Sequence, residues 1–323
     1  MIQNSIRSGC LFICYTPLHA LIADKIVKQE KISAYAVVYF YTADNQKNKY
    51  YFDLIAANAQ HAFYREKNNA VFHTLSLLQN LYSDLKACLV KHPVIYSGNI
   101  KTIYSRFLVF RLGATTLHTF DDGIGNIREE GYFYEGRYPT AAARFLSALG
   151  LDLSYSRMYR LIKKHYTIYK MPNAMPFCVY IDLFDFKTSL MADNMQSTCV
   201  FLTSTLSEEN VISIDMEKKL YKEIIDTFDV KYIIPHPLEF HQKITDPHVV
   251  FLKSEKIAEE MIMELRKTYG KIKVIGWYSS TLIHLMNIEG IETINIDFDP
   301  QATLAKTKSF LESHHVKSYI PNL

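Results

Sequence analysis

The chain lacks most of the features that assign a protein quickly. In 323 residues there is no run of the roughly 20 apolar residues needed to cross a bilayer. The apolar stretch Cys10 to Tyr15 is interrupted by Thr16-Pro17 and no small-residue cleavage site follows, so secretion and membrane spanning are both disfavoured. Low-complexity tracts and solenoid repeats are missing, which argues for folded sequence outside the termini. The five cysteines, Cys10, Cys14, Cys88, Cys178 and Cys199, form an odd set without a C-x-x-C pair, and several lie inside apolar runs. A reducing cytoplasm suits them. No His/Cys cluster has zinc spacing, and neither a Gly-x-Gly-x-x-Gly loop nor a Walker loop occurs. The formal charge is only +3, with no Lys/Arg stripe interleaved with aromatics, so a nucleic-acid partner has no support.

What is present is an alternation of apolar strands and helices. The first half reads as strands at Cys10 to Tyr15, Ala34 to Tyr41, Val94 to Tyr96 and Thr116 to Phe120. Helices open at Pro17 and run around His73 to Val90 and Thr102 to Phe110. Such alternation implies a parallel sheet covered on both faces. Helical, basic sequence from Tyr138 to about Tyr166 is expected to pack outside it, and the two prolines of Met171 to Pro176 mark a linker. The pattern then restarts, with strands at Thr198 to Leu202, Lys231 to Ile234, Val249 to Leu252, Ile272 to Trp277 and Thr293 to Ile296. Helices are expected from about Ser207 to Phe228, after a Ser254 cap, from Ser279, and from Pro300 to about His314. The fold class is α/β, with two doubly wound, Rossmann-like domains spanning 1–172 and 173–323 and facing a central cleft. The last helix has the option of packing back on the first domain.

Three short elements follow strands and therefore belong at carboxyl ends, where open α/β sheets place ligands. Asp121-Asp122-Gly123 ends a first-half strand. Two adjacent carboxylates cannot point the same way, so one faces the sheet end, where it could take a proton from a sugar hydroxyl, while the other anchors the turn. His236 sits between Pro235 and Pro237, a stiff turn that suits a positioned acid able to protonate a departing phosphate. His92-Pro93 precedes its strand and is background. Ser279-Ser280-Thr281 opens a helix, where hydroxyls, backbone N–H groups and the helix dipole together suit a monophosphate, although a serine there also simply caps a helix. Glu255 follows Ser254 at another helix start, a favourable place for a carboxylate that could also accept from ribose hydroxyls. Asp297-Phe298-Asp299 reads as a turn and cap rather than a metal site.

This set, Asp-Asp-Gly then His-Pro then Ser-Ser, resembles that of the bacterial sialyltransferases, most closely the lipooligosaccharide and capsule enzymes of glycosyltransferase family 52. Thr16-Pro17-Leu18 followed by Ala20-Leu21-Ile22 also looks like the opening strand-to-helix turn of that family. The resemblance implies a GT-B fold and inverting, metal-independent transfer of sialic acid from CMP-sialic acid to a galactose-terminated glycan. It implies Asp122 as the general base and His236 as the group assisting CMP departure. Ser279, Ser280, Glu255, Pro237 and Thr16 are implied on the CMP side, with no metal and no cofactor beyond the CMP-sialic acid co-substrate. A single phosphate on CMP agrees, because hydroxyls, a histidine and a helix dipole neutralise it where a diphosphate more often recruits Mg²⁺. Two positions depart from the pattern: His19 stands where a polar amide is expected, and Leu202-Thr203-Ser204 carries no nucleotide-loop signature.

Other readings of the same fold are a GT-B transferase or epimerase using another CMP-nonulosonic acid or a UDP-sugar, and a non-catalytic glycan-binding protein. Arg157, Arg160, Lys163, Lys164 and Lys170 lie among Leu, Ile and Tyr, as on a helix at a membrane surface or on an ordinary solvated face. The expected location is cytoplasmic, with peripheral contact at the inner membrane face and homodimer formation as further expectations.

Overall fold

A computed structural model describes residues 7–67, 70–127, 155–184, 196–239, 241, 243–301 and 304–322. The chain divides into two compact units, Met1–Leu183 and Phe184–Leu323. The first contains β1 (Ser8–Cys14), α1 (Pro17–Gln29), β2 (Tyr35–Tyr41), α2 (Gln46–Ala56), β3 (His61–Glu66), α3 (Val71–Cys88) and β4 (Leu89–Ser97). It continues with α4 (Ile103–Arg111), β5 (Leu117–Phe120), α5 (Tyr155–Leu161), β6 (Ile162–Thr167) and β7 (Cys178–Tyr180). All its strand pairs are parallel, in the order β3-β2-β1-β4-β5-β6-β7. The centre of that order follows from composition. Leu11, Phe12, Ile13 and the run Ala36 to Phe40 are wholly buried, as strands covered on both faces must be. α1 starts where Thr16 accepts the His19 N–H in its side chain and Pro17 supplies a preset φ.

The second unit repeats the plan with β8 (Ser197–Leu202), α6 (Ile214–Phe228), β9 (Tyr232–Ile234), β10 (Val250–Phe251), α7 (Ala258–Tyr269) and β11 (Lys271–Gly276). There follow α8 (Ser280–Leu285), β12 (Ile291–Ile296), α9 (Ala305–Ser313) and β13 (Lys317–Tyr319). Its order, β10-β9-β8-β11-β12-β13, is again parallel throughout and reverses direction between β8 and β11. α6 presents Leu220, Tyr221, Ile224 and Ile225 to the sheet, spaced one turn apart. Each such side chain stabilises by about 1.5–3 kcal/mol, and truncating Ile224 to Ala is expected to cost about 2–5 kcal/mol.

The structure corrects several boundaries. The first unit runs past residue 172, because Cys178–Tyr180 after the proline-rich segment pairs with β6 as another strand of the first sheet. The basic stretch is not one helix. Its part at 128–154 lies outside the described residues, α5 stops at Leu161, and Lys163 and Lys164 lie on β6, where Lys164 pairs with Glu30 at 3.3 Å. Residues 206–211 turn before α6, which starts only where Ser213 accepts the Met216 N–H. Ser254 does not cap α7: its hydroxyl accepts the Lys256 N–H two residues on, and Ile257 occupies the cap position. Pro300 does not open the last helix either, since Asp299 accepts the Leu304 N–H and α9 begins at Ala305. β3, α2 and β13 are additions that the sequence reading omits.

Candidate functional site

In the first unit the strand order reverses between β1 and β4, and the residues just beyond those strands converge. Tyr15 follows β1, and its backbone N–H donates to His19 Nδ1 at 3.2 Å. The other ring nitrogen, Nε2, lies 2.9 Å from Asp122 Oδ1. From beyond β4, Asn99 Nδ2 donates to Asp122 Oδ2 at 2.5 Å. Thr16, through its bond to the His19 N–H, belongs to the same cluster. Lys67, beyond β3, lies near the same cluster: burial pushes its ammonium down from its ordinary value, and the charge of Asp122 opposes that.

The two aspartates divide as adjacent carboxylates must. Asp121 is wholly buried and accepts from Ile168 N–H at 2.6 Å, Asn126 Nδ2 at 2.6 Å and His165 Nε2 at 3.0 Å. It ties the turn to β6. Asp122 is 23 % exposed, beyond the end of β5. Gly123 takes a φ of +59°, the left-handed turn conformation that glycine adopts without strain.

In the second unit, His236 follows β9. Its N–H donates to Thr203 Oγ1 at 3.0 Å, just beyond β8, and its Nδ1 accepts the Leu238 N–H at 3.2 Å. The neutral ring therefore carries its proton on Nε2. Thr203 in turn donates to Glu239. Glu239 belongs to a buried cluster in which Lys243 Nζ lies 2.6 Å from Glu208, 2.8 Å from Glu217 and 3.4 Å from Glu239. The Leu202-Thr203-Ser204 segment thus braces the His-Pro turn. Pro237, beside His236, is exposed.

Ser279 occupies the N-cap position of α8 and accepts the Thr281 N–H at 3.3 Å, while Ser280 is the first residue of the helix. The preceding Tyr278 has a φ of +45°, a costly conformation for a large side chain, held by Asn295 accepting its N–H and Asp297 accepting its hydroxyl. Glu255 is exposed in the bend before α7 and does not sit at the helix start. The acid that reaches the serine turn is Glu259, which accepts from Thr281 Oγ1 at 3.0 Å and from His284 Nδ1 at 2.6 Å. Burial would raise its carboxyl, yet these bonds and the helix N-terminus hold it below the ordinary carboxylate range. Asp297 also pairs with Lys308 at 2.6 Å and Asp299 holds the chain before α9, so the Asp-x-Asp is structural.

Sequence reasoning missed His19, Asn99, Glu259 and Lys243. Gly98-Asn99 after a strand was a readable signal for the second of these. His19 stood out only as a departure, and the others are revealed by burial.

Two parallel α/β units in series, each with Rossmann strand order and polar residues collected beyond the carboxyl ends, belong to the GT-B fold class. The particular family is given by sequence: residues 33–299 match glycosyltransferase family 52, and the chain belongs to it. It is 28% identical over 296 residues to the CMP-N-acetylneuraminate:beta-galactoside alpha-2,3-sialyltransferase of Pasteurella multocida (strain Pm70), spanning 90% of this chain and 92% of that one. It is 22% identical over 294 residues to the N-acetyllactosaminide alpha-2,3-sialyltransferase of Neisseria meningitidis serogroup A (strain Z2491), covering 87% of this chain and 76% of that one. Among solved structures, TcCGT1 in complex with UDP superposes with a TM-score of 0.52 over 98% of this chain and 86% of that one, at 8% identity, a likeness of fold. No helix among the described residues is long and apolar enough to cross a membrane.

Proposed function

We propose that this protein transfers sialic acid from CMP-sialic acid to a terminal galactose of a lipooligosaccharide or capsular glycan, forming an α2,3 linkage with inversion and without a metal ion. The observation that carries the reading is family 52 membership across residues 33–299, together with sialyltransferase relatives aligned over about nine-tenths of the chain. Asp122 takes the proton of the acceptor hydroxyl as its oxygen bonds to the anomeric carbon. The bond from that carbon to the phosphate oxygen breaks, its electron pair leaves with CMP, and the His236 Nε2–H stabilises the phosphate by a hydrogen bond without giving up its proton. Ser279 and Ser280 hold the phosphate, Glu255 the ribose hydroxyls, and Pro237 and Thr16 shape the donor surroundings.

The test is CMP release from CMP-sialic acid with and without lactose or N-acetyllactosamine, in buffer containing EDTA. Acceptor-dependent release that persists in EDTA and is lost in Asp122→Ala is expected. No donor binding or turnover across several galactosides would overturn the reading and direct the assay to UDP-sugars and other CMP-nonulosonic acids. The same reading includes a peripheral site at the inner membrane face, supported by the exposed Arg157, Arg160 and Lys163. Glu at these three positions should release the protein from anionic vesicles, and unchanged binding would discard that part.

A further inference from the structure

We infer that His19 is the positioning residue of the Asp122 carboxylate: it donates from Nε2 to hold that group ionised and aligned, and is itself barred from taking the proton. The inference rests on the reading of Asp122 as the base and deepens it. Neutral imidazole has one N–H, and the Tyr15 amide occupies Nδ1 as a donor, so the ring proton is on Nε2, 2.9 Å from Asp122 Oδ1. To accept the proton gathered by Asp122, Nε2 would have to lose its own, which Nδ1 can take up only by breaking the Tyr15 bond. His19 therefore acts as a fixed donor, and the proton leaves Asp122 by another route.

The ring has no room to do otherwise. It is 1% exposed and lies edge-on to Tyr15 and Phe120, at interplanar angles of 83° and 85°. A Cβ at Gly98 would stand 2.6 Å from His19 Nδ1 and 2.7 Å from Cγ and Cε1, so a glycine is required beside it. Asn99 covers the second carboxylate oxygen. Among the described residues, His19 from α1 and Lys67 from beyond β3 are ionisable groups that act on Asp122, while the neighbouring Asp121 is committed to Ile168, Asn126 and His165. Two N–H donors favour the ionised carboxylate over the acid, which extends the active range of the base toward low pH.

The test is the pH profile of kcat/KM for transfer to lactose in wild type, His19→Ala, His19→Gln, Gly98→Ala, the Gly98→Ala/His19→Ala double variant and Asp122→Asn, with circular dichroism as the folding check. His19→Ala is expected to move the acidic limb up by about one pH unit and to lower kcat at least about tenfold through misalignment. His19→Gln, which keeps an N–H donor near the Nε2 position, should recover the limb. Gly98→Ala should reproduce the His19→Ala shift and add nothing to it in the double variant, because the clashing ring is gone. In the wild type, ¹⁵N NMR should find Nε2 protonated and Nδ1 unprotonated. An unmoved limb in His19→Ala, no recovery in His19→Gln, or the opposite tautomer would overturn the inference while loss of turnover in Asp122→Asn left the base reading standing. Full turnover in Asp122→Asn would remove both.

Discussion

Replacing Lys243 with methionine removes the cation that three buried carboxylates share. The ammonium is fully buried, as is Glu217, and Glu208 and Glu239 are nearly so. Methionine keeps most of the volume, so the change is chiefly electrostatic. At pH 7 the remaining carboxylates either repel or recruit a proton, and protonating one carboxyl of ordinary pKa at that pH costs about 3.4 kcal/mol. The expected loss is therefore about 3–5 kcal/mol, the range for breaking a buried ion pair from one side. At pH 5 the same protonation costs about 0.7 kcal/mol, and the loss should shrink to about 1–2 kcal/mol. The wild type has its own profile. Burial acts to raise Glu208, but the bond to Lys243 and backbone N–H groups hold it at about 2, so its contribution is full above its unfolded value of about 4.5 and is lost as pH falls toward 2. Glu239 is raised by burial, with Glu217 adding to the rise, so its penalty is relieved as pH falls through its folded value. Wild-type stability should thus rise slightly on mild acidification and then fall below about pH 4.5. Urea unfolding read by Trp277, the single tryptophan, which donates to Phe298 O in the same unit as Lys243, measures both effects. A loss in the Lys243→Met variant below about 1 kcal/mol at pH 7, the worth of an exposed pair, or one equal at pH 5 and pH 7, would refute the reasoning.

Asp122→Asn should lower turnover by about 10²–10⁴-fold with little change in melting temperature, whereas Asp121→Asn, which disturbs three buried bonds, should cost about 1–3 kcal/mol in denaturant unfolding. His236→Ala is expected to reduce kcat by about 10²-fold or more while changing the inhibition constant of CMP far less. Thr203→Val leaves the His236 N–H and Glu239 without their shared partner and should lower both stability, by about 1–3 kcal/mol, and kcat; Thr203→Ser should restore both. Glu259→Gln should raise the inhibition constant of CMP about tenfold by loosening the Ser279 to Thr281 turn, read against Glu255→Gln at the carboxylate proposed to meet the ribose.

The central strands were legible because burial on both faces of a parallel sheet leaves an uninterrupted apolar signature, as in Ala36 to Phe40. The positions of the turns that follow them were legible for the same reason: once a strand's end is fixed, the next few residues lie beyond the carboxyl edge of the sheet. Edge elements were not. β3 carries His61, Arg65 and Glu66 and is only partly buried, and β13 is three residues long, so neither has periodicity to read. β6 was misread because Lys163 and Lys164 suggest a solvated helix, although Ile162 and His165 to Thr167 are buried in the sheet. Helix starts failed where a serine hydroxyl served a local turn, as at Ser254, or where the cap lay further along, as at Ser213. The division of labour between Asp121 and Asp122 depended on His165 and Ile168, more than 40 residues away, which no local pattern encodes.

The two units solve one chemical problem in the same way. A histidine is useful as a fixed donor only if its tautomer is set, and a side-chain partner that sets it can itself change protonation. Here the partner is a backbone amide in both cases: Tyr15 N–H on His19 Nδ1 and Leu238 N–H on His236 Nδ1. An amide does not titrate in the working range, so both rings keep the neutral proton on Nε2 whatever happens to the carboxylates nearby. His284 shows the contrast. Its Nδ1 donates to Glu259, whose carboxyl is held ionised, and that ring serves the serine turn rather than a reacting atom. Main-chain groups that strands and turns position thus fix the tautomers of His19 and His236, whereas His284 is held by a side-chain hydrogen bond to a buried carboxylate.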